Sequence, residues 1–139
     1  FNLDTWKNLT LTYKHLEHLI DAFMPRTRRN NTYCKTLSGV SDERIKSVRT
    51  IDGLREVFNN DRYHKVNFEA YSRHRTVEFR QNSGTTNFPK MENWIRFLNG
   101  LITFAKRSSL PSRMTLEELP FLDGKQKLFF KLRTKKLAV

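Results

Sequence analysis

Apolar residues recur at intervals of three and four along the first part of the chain. Trp6, Leu9, Tyr13, Leu16, Ile20 and Phe23 fall on one face of a predicted helix, with Asp4 as its N-cap. Pro25 ends it, because the residue before a proline avoids helical backbone. The stretch 26–40 reads as a basic, polar loop broken at Gly39. Short helices are predicted over 42–48 and 51–58, followed by the turn cluster Asn59-Asn60-Asp61. The period then changes to two. Val66, Phe68 and Ala70 alternate with Asn67 and Glu69, which predicts a strand over 65–71. A second strand is predicted over 76–81, with Val77 and Phe79 on one side and Thr76, Glu78 and Arg80 on the other. Ser72-Arg73-His74-Arg75 is short enough to make the two a hairpin. After the polar loop Asn82-Ser83-Gly84-Thr85-Thr86, a long helix opens with Pro89 at its first position. Its stripe is Met91, Trp94, Leu98, Leu101 and Ala105, widened by Ile95, Phe97, Ile102 and Phe104. A short capped helix over 115–119 and a basic amphipathic one over 125–137 complete the chain, with no internal repeat. The fold class is α+β: an antiparallel hairpin packed on several helices. A lone hairpin is marginally stable, so it is expected to join a larger sheet.

Composition narrows the classes. The 139 residues suit a single domain, and 11 Phe supply apolar surface for a core. No apolar run reaches the ~18 residues of a membrane span, which argues against a membrane partner. No signal-peptide pattern opens the chain. The single cysteine, Cys34, cannot form an internal disulfide; this suits a reducing compartment, and a cytoplasmic or virion-associated location is expected. The sequons at Asn8 and Asn30 read as chance matches. The net charge of +12 would attract a polyanion such as nucleic acid, or an acidic partner; a solvated basic surface fits it equally well.

The candidate chemistry lies between Arg62 and Thr86. A strand carboxylate, Glu78, can ligate Mg²⁺ through oxygen. Arg80, on the same face, can clamp a phosphate with its rigid fork of donors. Gly84 lets backbone approach a ligand, and Thr85 offers a hydroxyl. Taken alone, the pattern favours an ordinary same-face ion pair between Glu78 and Arg80. His15 and His18 are three apart, but no third ligand is near in sequence, so a surface or core role is favoured. His64 could face a pocket or a hairpin edge. Cys34 has no general base nearby and reads as buried or inert.

Arg62-Tyr63-His64-Lys65-Val66-Asn67-Phe68, then Thr76-Val77-Glu78-Phe79-Arg80-Gln81, then Ser83-Gly84-Thr85 and a Trp-bearing helix, resemble the hallmark block of the amidoligase family. Arg28-Arg29-Asn30-Asn31-Thr32-Tyr33-Cys34 resembles a second block, and the leading helix occupies the matching place before it. The family is similar to glutamine synthetase and glutamate–cysteine ligase. The resemblance implies ATP and Mg²⁺ as cofactors, activation of a carboxylate as an acyl phosphate, and attack by an amine-bearing substrate. It implies Glu78 as a metal ligand and Arg80 as a contact to phosphate or to the substrate carboxylate. Arg62 and Asn67 would shape the neighbouring strand. Arg28 and Arg29 would meet the nucleotide or an acidic substrate, and Gly84 and Thr85 the cofactor.

One departure stands out. The family pattern begins upstream with strands that supply further acidic ligands and a His-rich strand. Residues 1–139 therefore read as the C-terminal part of a catalytic domain, a ligase if completed by an N-terminal half or partner chain. Asp42, Glu43 and Asp61 read as caps rather than as substitutes. The alternative is a non-catalytic basic module of a larger assembly, such as a phage particle or ribonucleoprotein.

Overall fold

The computed structural model describes residues 1–138. Helix α1 spans Leu3–Ala22 and α5 spans Phe88–Ala105; they form the main helical contact. Both predicted stripes are largely realised. Trp6, Leu9, Tyr13, Leu16, Ile20 and Phe23 are buried, as are Trp94, Phe97, Leu101 and Ala105. Phe23, Phe97 and Phe130 meet at the centre, with ring centroids 4.3 Å apart for Phe23–Phe130 and 5.5 Å for Phe97–Phe130. The predicted stripe was too wide at Ile95, which is exposed.

The caps differ in detail from the expectation. Asn2, not Asp4, caps α1 and accepts from the Thr5 amide at 3.0 Å. Asp4 lies in the first turn, where a carboxylate favours the helix dipole. Asn87 caps α5, which puts Pro89 second in the helix rather than first. Helices α2 (Asp42–Ser47) and α3 (Ile51–Val57) stand where periodicity put them, capped by Ser41 and Thr50. Asp42 is thus no cap; it pairs with Lys14 at 2.7 Å and pins α2 to α1.

The strands are much shorter than expected. β1 is Val66–Asn67 and β2 is Glu78–Phe79, antiparallel, with Val66 opposite Phe79 and Asn67 opposite Glu78. The predicted tight hairpin is replaced by helix α4 (Tyr71–His74), closed by Arg75 in the left-handed region at φ 56°. The cause is local. The Asn67 side-chain oxygen accepts from the Glu69 amide at 2.8 Å, an Asx-type turn that diverts the backbone from the ladder. Arg55 then holds Glu69 at 2.8 Å, and Tyr71 packs edge-on to Trp6. The other edge of β1 is partly covered by the segment expected as open loop: the Lys35 amide donates to the Tyr63 carbonyl at 2.8 Å, and the Lys65 amide to the Lys35 carbonyl at 3.0 Å. The class remains α+β.

Helix α6 spans Gly124–Leu137, capped by Asp123 in a reciprocal box with Gln126. It buries Gln126 and Phe130 but leaves Leu128 and Leu132 exposed, so its amphipathic character is weak. Gly100 lets the segment before α6 approach α5. A Cβ there would lie 2.8 Å from the Phe121 carbonyl oxygen. Gly100→Ala is therefore expected to cost ~1–3 kcal/mol by overpacking, although alanine is the better helix former. Urea denaturation checks this; an unchanged or raised midpoint would refute the close contact.

Candidate functional site

The short strand pair brings Glu78 and Arg80 to one place. Arg80 Nη1 donates to Glu78 Oε1 at 2.6 Å. The Arg80 guanidinium lies over the Tyr63 ring, 5.1 Å from its centroid. Arg62 lies over the same ring at 4.9 Å and donates to the Tyr63 hydroxyl at 2.7 Å. That bond, with the nearby phenol, raises the Arg62 pKa above its ordinary value. Arg28 reaches the Arg80 carbonyl at 3.4 Å. Two guanidinium groups thus flank Tyr63, a third reaches the Arg80 backbone, and Glu78 is the carboxylate that bonds Arg80. Arg80 Nε is buried with no partner among the described residues. An unpaired buried donor in a cationic cluster is the feature expected where an anion docks.

The other predicted residues are distributed more widely. Asn67 is buried opposite Glu78, and its side chain accepts from the Glu69 amide. Arg29 instead donates to the Met24 carbonyl at 3.0 Å and ties down its own loop. Gly84 and Thr85 line a different cavity, with Met24, Lys90 and Arg133.

Sequence reasoning missed the support beneath the cluster. Lys65 is completely buried, with its side chain at 0% exposure. Its ammonium donates to Asp21 at 2.8 Å, Asn30 at 2.7 Å and Glu17 at 3.2 Å, using all three donors. Gln81 donates to Asp21 and accepts from the Tyr13 hydroxyl at 2.7 Å. Glu17 also accepts from the Leu37 amide and from Thr36. Burial, reinforced by the charges of Glu17 and Asp21, raises the Tyr13 pKa well above its usual value, so the phenol stays a donor. The available signal was Glu17 and Asp21, four apart on the helix, the first beside the buried Leu16.

Cys34 is buried, and its thiol donates to the Arg28 carbonyl at 3.2 Å. Burial pushes its pKa up despite the nearby Lys65, Arg28 and Arg80, so it remains a thiol and a poor nucleophile. His15 lies between the Leu110 carbonyl at 2.6 Å and the Asp42 carboxylate at 2.8 Å. Burial alone would raise the Asp42 pKa, but Lys14 and His15 together hold it below the ordinary carboxylate range. His18 bonds the Met114 carbonyl at 3.1 Å, so the two histidines share no ligand. His64 packs on Phe58 and bonds the Asp61 carbonyl. Asp61 pairs with Lys35 and accepts from the Tyr63 amide; the Lys35 bond lowers its pKa.

The family model described as "Putative amidoligase enzyme" matches residues 1–102. The chain belongs to the amidoligase family. No curated protein and no solved structure matches it. The arginine cluster and its buried support in this amidoligase lie within the matched span, whereas α6 lies outside it.

The donor set does not suit Mg²⁺. Glu78 is the one carboxylate in the cluster and is already bonded by Arg80, and among the described residues no group of three or more His, Cys, Asp or Glu is placed to hold a metal ion. Hard divalent cations take several oxygen ligands, and neighbouring guanidinium groups oppose them. The site in this amidoligase suits an anion. No helix among the described residues is long and apolar enough to cross a membrane.

Proposed function

We propose that the chain forms the anion-binding wall of an ATP-dependent carboxylate–amine ligase. The observation that carries this reading is the meeting of Arg62 and Arg80 on Tyr63, with Arg28 on the Arg80 carbonyl and Arg80 Nε buried and unpartnered. In the reaction, a substrate carboxylate oxygen attacks the terminal phosphorus of ATP, and ADP leaves. The amine nitrogen then attacks the acyl carbon, the acyl C–O bond breaks, inorganic phosphate departs and the nitrogen loses a proton. Both steps develop negative charge on oxygen, and fixed cations lower the barrier most where water is excluded. Arg80 would bind the carboxylate and then the acyl phosphate. Glu78, half-exposed, would hold the Arg80 fork in place. The carboxylates that would hold Mg²⁺ are assigned by this reading to another segment or a partner chain. Incubating the native full-length protein with ATP, Mg²⁺, a panel of carboxylic acids and hydroxylamine tests it. The expected result is ADP formation with a hydroxamate product, the trapped acyl phosphate. ATP left intact with every acid would remove the ligase reading.

A second reading rests on α6. That helix carries six Lys and Arg residues and no Asp or Glu, and Lys125, Lys131, Lys135 and Lys136 are exposed. As a polyanion-binding helix it should hold a DNA duplex with affinity that falls about 10³-fold between about 50 and 200 mM salt. Changing these four lysines to glutamine should flatten that dependence. Binding insensitive to salt would exclude this role.

A further inference from the structure

A second cavity, of about 110 Å³, lies between the end of α1, the loop after β2, the start of α5 and the middle of α6. Aromatic residues line it: Trp94 and Phe130 are buried core residues, and Phe129 is half-buried. Its walls are cationic and polar. Lys90 and Arg133 both line it, both are half-buried, and the side chain of neither bonds or ion-pairs with any described residue. Ser83 offers a hydroxyl at the rim. No acidic side chain lines the cavity. Beyond Gly84 the space is open, with no atom within 4 Å of the point where a Cβ would stand.

Two cations drawn together without a counter-ion repel each other, and partial burial strengthens that repulsion. Two other inward-facing cations are neutralised: Lys65 has two carboxylates, and Arg55 has Glu69 and Asp52. The Lys90–Arg133 pair is left for a ligand. The cavity is well below the ~300 Å³ at which drug-sized pockets begin, so the ligand is small or inserts only its head. We propose that this cavity binds a small organic anion, with its phosphate or carboxylate head between Lys90 and Arg133 and a flat apolar body against Phe129 and Trp94. The site is distinct from the Arg28–Arg62–Arg80 cluster and does not depend on the ligase reading. Phe129, Phe130 and Arg133 belong to α6, beyond the span matched by the family.

NMR titration with phenyl phosphate, benzoate and neutral phenol, read at the Trp94 indole and the Thr85 amide, tests the proposal. Saturable shifts with phenyl phosphate or benzoate, and none with phenol, are expected; whichever anion binds more tightly names the head group. Lys90→Gln and Arg133→Gln should each weaken binding about tenfold, the effect of losing one charge-assisted bond. Arg80→Gln should leave it unchanged. Retained ring-current-shifted resonances from Phe97 would show that each variant is folded, and the two variants check each other if one is not. No saturable shift with either anion, or shifts unchanged in both variants, would overturn the proposal.

Discussion

Lys65→Met is expected to lower the free energy of unfolding by about 3–5 kcal/mol, the usual consequence of removing one partner from a buried ionic group. Lys65 has no exposed side-chain surface, and its ammonium is shared by Asp21 and Glu17. Without it, two carboxylates would face each other with only neutral donors. The network also spans the fold: Asp21 and Glu17 come from α1, Asn30 and Thr36 from the loop, and Gln81 from the chain after β2. Adding Asp21→Asn and Glu17→Gln to Lys65→Met should recover a large part of the loss, because the uncompensated charge is then gone. Urea denaturation at neutral pH measures both variants. A loss below about 1 kcal/mol in Lys65→Met would show that the ammonium is not buried as described, since that is the range of an exposed pair.

Arg80→Gln is expected to reduce turnover in the hydroxamate assay by about 10²–10³-fold, the range found when one oriented donor to a developing oxyanion is removed. Arg80→Lys should recover little, because an ammonium cannot reproduce the forked contact or the stacking on Tyr63. Glu78→Gln should also abolish most turnover without unfolding the protein. The side chains of Glu78 and Arg80 are 49% and 24% exposed, so their pairing contributes at most about 1 kcal/mol to stability. If Glu78 acts by holding Arg80, raising the Mg²⁺ concentration will not restore the variant. Restoration by Mg²⁺ would instead make Glu78 a metal ligand. Full activity in Arg80→Gln would remove the arginine from the mechanism.

The long helices were legible because burial on a helix obeys a period that sequence displays directly. Tyr13, Leu16 and Ile20, and likewise Trp94, Phe97 and Leu101, repeat at helical spacing and are buried. The family block from Arg62 to Thr85 was equally legible, as was the ion pair of Glu78 with Arg80, since residues two apart on a strand share a face. The strand lengths were not. Val66, Phe68 and Ala70 alternate, yet the Asn67 side chain turns the backbone after two paired residues, and alternation does not report that competition.

The sequence by itself determined the two main helices, the α+β class, the family and the candidate pair of Glu78, on β2, with Arg80 just after it. Each rests on residues close together in the chain. Tertiary structure alone decided that Arg28 would reach Arg80 across 52 positions and that Lys65 would find Asp21 across 44. It also decided that Lys90 would share a cavity with Arg133. A charged side chain's role depends on which opposite or like charge it meets in space, and that pairing is created only when the chain closes on itself.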